Sequence, residues 1–163
     1  MANLDLTKRT IPVEHVTIRS GNSFDIVRSK LETLLPRIDD GIFTLLKYGE
    51  SKRALQELEA APPLSIFGFR DHGALLAIAG LRCRAVQYDI GNPLTASKMT
   101  RHQISAGLYA PVRVLLLEDS TGRAVFEYDR PASIFGQFGD DQVSAVARQL
   151  DQDLQSTLEI ASS

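Results

Sequence analysis

The chain has 163 residues, 44% of them hydrophobic and 23% charged, with 18 basic against 20 acidic side chains and a formal net charge of −2. That length closes one core of ordinary size, and the composition excludes a disordered or fibrous chain. A near-neutral charge argues against a nucleic-acid partner, and no apolar run approaches the roughly 20 residues of a membrane span.

Residues 1–13 read as a loose N-terminal arm, and 14–160 as a single domain. "MANLDLTKRTIPVEH" carries no apolar secretory segment, and Cys83 is the only cysteine, so no intrachain disulfide or four-thiolate zinc site is available. A reducing cytoplasmic setting is the expectation. Cys83 lies between Arg82 and Arg84. The plainer reading of it is a small, half-buried filler.

"HVTIRS" (15–20) alternates and predicts a strand, followed by a turn at Gly21-Asn22. Ser23 can cap a helix whose apolar positions Phe24, Val27, Leu31, Leu34 and Leu35 share one face, and Pro36 ends it. Two short helices are expected between Gly41 and Pro62, broken at Gly49. "LSIFGF" (64–69) and "RAVQYDI" (84–90) predict strands. "GALLAIAG" (73–80) between them fits a strand or a helical turn, with strand slightly favoured by its length.

After Gly91-Asn92-Pro93, Thr95 is placed to cap a short helix to about Met99. "VRVLLLED" (112–119) and "RAVFEYD" (123–129) flank Ser120-Thr121-Gly122 and predict a hairpin. "RPASIFGQFG" reads as a loop. A last helix starts near Asp140-Asp141, and Val143, Val146, Ala147, Leu150, Leu154 and Leu158 form its apolar stripe. Consecutive hairpin-linked strands with helices at the ends predict an α+β fold: an antiparallel sheet covered by helices on one face, with extra helices after the first. The open face of such a sheet would suit a homodimer.

The stretches "RDHGALLAIAG", "QYDIGNPLTASKMTRHQ", "LYAPVRVLLLEDSTGRAVFEYDRPAS" and "FGQFGDDQVSAVARQLD" resemble the domain-of-unknown-function family numbered 302. The resemblance runs from about Ile66 to Leu158, with long shared motifs that suggest a close subgroup. It implies a TBP-like α+β arrangement, commonly dimeric, and no particular activity. The helices between Gly41 and Pro62 depart from the shortest members.

Among residues able to carry chemistry, Asp71-His72 comes first, because histidine is the usual acid/base near neutral pH and a carboxylate can orient it. Adjacent strand residues point to opposite faces, however, so the two need not touch. Arg113 is second. In an otherwise apolar strand, sharing a face with Leu115 and Leu117, it must snorkel, bind an anion, or pair with a carboxylate such as Asp89 or Asp129. Tyr88, Tyr109 and Tyr128 could line a pocket or simply pack in the core.

A phosphate role for the Gly-Asn-Pro turn is disfavoured, since Pro93 has no N–H to donate; Asn92 and Thr95 are expected only as lip residues of a site. Thr100-Arg101-His102 reads as a solvated helix end. The histidines at 15, 72 and 102 lack metal-ligand spacing, and no GxSxG, Walker-type or GxGxxG motif occurs. No metal or other cofactor is therefore expected.

Two functions fit. The first is a protein that binds a small anionic or amphipathic metabolite, with Arg113, Tyr109, Asn92, Tyr88 and Thr95 around it. The alternative is a cofactor-independent isomerase, lyase or cyclase, with His72 as acid/base and Arg113 as anion stabiliser.

Overall fold

The computed structural model describes residues 4–163. Five strands, β1 (His15–Ser23), β2 (Ser65–Asp71), β3 (Ala85–Gly91), β4 (Val112–Glu118) and β5 (Arg123–Asp129), form one antiparallel sheet in the order β1-β5-β4-β3-β2. The helices are α1 (Phe24–Leu34), α2 (Gly41–Lys47), α3 (Ser51–Ala60), α4 (His72–Leu76), α5 (Pro93–Thr100), α6 (Pro131–Gly136) and α7 (Asp141–Ser162).

Alternation along the strands decides what each sheet face does. Val86, Tyr88 and Ile90 of β3, Val112, Val114 and Leu116 of β4, and Ala124, Phe126 and Tyr128 of β5 are all buried. They pack under α1 and α7, whose Phe24, Val27, Leu31, Leu150, Leu154 and Leu158 close the same core. The antiparallel hairpin architecture and the one-sided helical layer match the α+β expectation. The opposite face, turned away from α1 and α7, carries Arg113, Asp89, Asp129 and His15 in neighbouring register.

Three local predictions need correction. Residues 73–80 are not strand: α4 begins at His72, and a 3-10 turn follows over Ala77–Ala79. The Asp71 carboxylate makes this possible by accepting the Ala74 N–H at 2.8 Å, which caps a helix that alanine tolerates well. The helix after the Gly-Asn-Pro turn is capped by Asn92, not Thr95: Asn92 Oδ1 accepts from the Leu94 and Thr95 N–H groups, and Pro93 stands at the first helical position. The "RPASIFG" segment is the helix α6 rather than a loop, again with proline at its first turn. In addition, β1 runs on through Gly21-Asn22 to Ser23, with its register to β5 interrupted between Arg19 and Ser23.

The described part of the arm, residues 4–14, has no regular structure but is tied down. Arg9 donates to Gln137, and Arg130 joins Glu14 and the buried Asp151 of α7, each at 2.7 Å. Residues 36–38 lie along β2 through the Ile66 N–H to Pro36 carbonyl bond and the Ile38 N–H to Ile66 carbonyl bond, which satisfies part of that edge. Helices α2 and α3 form a satellite core from Ile42, Ala54 and Leu58.

Gly73 marks a point where the fold depends on a missing side chain. A Cβ there would stand 2.4 Å from the Cys83 carbonyl oxygen and 3.0 Å from the Ala85 nitrogen, both backbone atoms. Gly73→Ala should cost about 1–3 kcal/mol through this overpacking, read as a lower urea midpoint at unchanged slope. Gly136→Ala, where a Cβ meets nothing within 4 Å, serves as the control.

Candidate functional site

Arg113 occupies the first turn of alternation in β4, and its side chain emerges on the open face. Register sets it opposite Asp89 of β3; one step from the Val114–Tyr128 pair, Asp129 of β5 is its neighbour on the other side. Both carboxylates are engaged elsewhere. Asp89 accepts from Arg70 of β2 at 2.8 Å, and Asp129 lies 3.1 Å from Nδ1 of His15 on β1. The open face thus carries a row in which Asp129, Arg113, Asp89 and Arg70 alternate in charge, with His15 beside Asp129 at its end. Among the described residues, Arg113 forms no ion pair within 4.0 Å, although arginine has five donors to place.

A cleft of about 410 Å3 stands over the four residues from Asp129 to Arg70. Arg70, Asp89, Arg113 and Asp129 make its floor, and Leu108, Tyr109, Pro111 and Ile134 make an apolar wall. Tyr109 closes a 3-10 segment, Ile104–Tyr109, and its ring meets the edges of Phe135 and Phe138, each at 6.3 Å between centroids. The wall is therefore braced by the helical layer, while Leu108 remains 79% exposed at the mouth. A volume of this size falls within the range that small-molecule sites occupy.

The other expected site residues fall in different places. Asp71 serves α4 as its cap. His72 follows it, past the last β2–β3 pair, Asp71–Val86, which lies three register steps from Asp89, on the order of 10 Å along the strands. It lines neither the Arg113 cleft nor its neighbour, so the two residues are not brought to a common point. Tyr88 is fully buried on the covered face, where its hydroxyl donates to Glu32 at 2.7 Å, and Tyr128 is buried on that face too. Neither reaches the cleft; the helices claim that side of both strands.

Asn92 lines a second, mostly apolar cleft of about 290 Å3 under α5, together with Phe43, Phe67, Ala96 and Met99. It backs onto the Arg113 cleft across Pro111 and Val112, which line both. Thr95 is half-buried on α5 and lines neither. Arg70 and the His15–Asp129 pair were not singled out by sequence reasoning. Arg70 and Asp129 meet the cleft through strand order, and His15 reaches Asp129 across a sequence separation of 114.

A further cleft, about 450 Å3, lies by Arg28, Asp71, Arg82, Cys83 and Arg84. Cys83 is exposed rather than half-buried, because it sits in the connection before β3 and not in a strand. Two of the cations here are already satisfied. Arg84 pairs with Asp25 and lies over the Phe24 ring, and Arg28 pairs with Glu32 at 3.0 Å. Larger volume does not by itself make this the stronger candidate: Arg28 and Arg84 are already paired within the fold, and of its three arginines Arg82 alone forms no ion pair among the described residues. Among the described residues, no group of three or more histidine, cysteine, aspartate or glutamate side chains is placed to hold a metal ion, and no helix is long and apolar enough to cross a membrane.

Several titrations tie these contacts to pH. The Arg84 hydrogen bond holds the Asp25 carboxyl below the usual range, and the Thr121 hydroxyl with two backbone N–H groups does the same for Asp119. Burial pushes the Tyr88 phenol up, with Glu32 adding to it, and burial raises Tyr128 as well. A depressed carboxyl stabilises the fold above its unfolded value and loses that contribution as pH falls through the folded one. A raised phenol stabilises below its unfolded value, near 10, and loses it as pH climbs. Urea midpoints should therefore be level between about pH 5 and 9 and fall on both sides, with the alkaline fall reduced in Tyr88→Phe.

Comparison with known proteins fits this description. The model of the family described as "Domain of unknown function DUF302" matches residues 43–161. No curated protein matches the chain. Among solved structures, the chain is similar to the "uncharacterized conserved protein DUF302 from Bacillus stearothermophilus", with a TM-score of 0.65 and 14% identity over 90% of this chain and 97% of that one. At that identity the likeness speaks for the fold alone. The matched stretch takes in β2 to β5, the Gly-Asn-Pro turn, Arg113 and nearly all of α7, and on that evidence the chain belongs to the DUF302 family.

Proposed function

We propose that the protein binds a small amphipathic metabolite in the open-face cleft, with an anionic group on Arg113 and an apolar body against Leu108, Tyr109, Pro111 and Ile134. The observation that carries this reading is the Arg113 guanidinium, which forms no ion pair among the described residues and stands between two carboxylates that already have other partners. A guanidinium held on a strand offers a fork of donors matched to a carboxylate or phosphate. An apolar wall braced by Tyr109, Phe135 and Phe138 supplies contact area without requiring rearrangement.

The test is a ligand screen by differential scanning fluorimetry with small carboxylates and phosphates of graded apolar size, run in parallel on wild type and Arg113→Ala. Support is a set of ligands that raise the melting temperature of wild type and not of the variant. Equal shifts in both proteins would refute the reading.

We further propose that two copies pair through the open sheet face beyond the cleft, where Leu115, Leu117 and Ala85 project on the same side as Arg113. Sedimentation should give a dimer for wild type and a monomer for Leu117→Glu; a wild-type monomer at micromolar concentration would end this proposal. We place the protein in the cytoplasm, where a single exposed thiol such as Cys83 stays reduced.

A further inference from the structure

The charges of the cleft floor restrict the ligand more closely than Arg113 alone does. Arg70 and Arg113 are balanced by Asp89 and Asp129, so the floor as a whole is close to neutral while its charges alternate from strand to strand. A simple anion on Arg113 would sit one strand spacing from a carboxylate on each side, and like charges so close repel. A simple cation would meet the same difficulty at Arg113 and Arg70. A neutral apolar molecule would remove water from all four groups and return nothing to them.

Asp129 and Arg113 are neighbours across adjacent strands on the same face, and no ion pair joins them within 4.0 Å. Asp129 remains about half exposed and uses Oδ1 toward His15. Asp89 is the less available of the two carboxylates, at 16% exposure and bound to Arg70. The gap between the Arg113 guanidinium and the Asp129 carboxylate is thus bounded by one unpaired cation, one accessible anion and an apolar wall.

We propose that the ligand is a zwitterion of the amino-acid type, with its carboxylate on Arg113, its ammonium on Asp129, and an apolar side chain against Leu108, Tyr109 and Ile134. This rests on the binding role assigned above and deepens it. Each charge of such a molecule meets its opposite, each partner is a charge-assisted hydrogen bond, and the alternating floor that disfavours simple ions becomes the source of selectivity.

The experiment is calorimetric titration of the full chain with L-leucine and L-phenylalanine, and with 4-methylpentanoate and 3-phenylpropanoate, which lack only the ammonium group. Wild type should bind the amino acids at least about tenfold more tightly than the matched acids, the worth of one charge-assisted hydrogen bond. In Asp129→Asn that preference should shrink to roughly twofold or less, with an unchanged melting temperature showing that the fold is intact. Arg113→Ala should weaken both classes.

Acids binding as tightly as amino acids in wild type, or a preference that survives Asp129→Asn, would overturn the zwitterion assignment while leaving Arg113-dependent binding of acids in place. Absence of binding by all four probes would also overturn it. The broader reading would then stand or fall on the fluorimetric screen.

Discussion

Replacing Arg113 with alanine is expected to weaken ligand binding about ten- to hundredfold and leave folding almost untouched. Its guanidinium is exposed, forms no ion pair among the described residues and supports no neighbour, so the loss in stability should stay within about 0.5 kcal/mol. A charged hydrogen-bond donor facing a ligand anion is worth roughly 1.5–3 kcal/mol, which is about a ten- to hundredfold loss of affinity. Arg113→Lys restores the charge without the planar fork and should recover only part of that loss. Titration calorimetry beside urea unfolding separates the two effects. A variant that simply unfolds would make Arg113 a structural residue.

The second large effect belongs to the core. Leu154 of α7 is fully buried, in the stripe that seals α7 to the sheet and to α1. Leu154→Ala should cost about 2–5 kcal/mol, from lost burial and from the cavity left behind. Against a typical total of roughly 5–15 kcal/mol, that approaches the limit of folding at 37 °C. Ile160, on the same helix but 54% exposed, provides the contrast: Ile160→Ala should change the urea midpoint little. Equal costs at both positions would mean that α7 packs with a different face.

Much of this fold was legible in the sequence because two patterns were clean. The strands 112–118 and 123–129 are apolar runs flanking a turn whose Gly122 has φ +81°, and the α7 stripe keeps its helical period for over four turns. Residues 73–80 were harder, since the helix there depends on a side-chain cap from Asp71 and on close backbone approach at Gly73, neither of which is a matter of period. The helix at 131–136 is too short for a periodic signal and rests on Pro131 at its start.

The site divides in the same way. Arg113 stood out as a cation in an apolar strand, and Tyr109 as an aromatic beside it. Asp89 and Asp129 were recognisable as candidate partners for Arg113, yet the sheet gives them to Arg70 and His15, which strand order alone brings near. The Asp71-His72 pair, adjacent in sequence, is separated in role: one residue caps a helix, and the other opens that helix just past the end of β2 and does not line the cleft. The Gly-Asn-Pro turn caps α5 through Asn92 and borders the apolar cleft behind Pro111 and Val112.

The central claim, that the open sheet face beside Arg113 is where this protein meets its ligand, is tested most directly by mapping amide chemical shifts. Isotope-labelled protein would be titrated with the ligand that gives the largest Arg113-dependent stabilisation. Shifts should concentrate at Leu108, Tyr109, Arg113, Asp129 and Ile134, with Arg82 to Arg84 silent. Shifts concentrated instead around Arg82, Cys83 and Arg84, or around His72, would contradict the account.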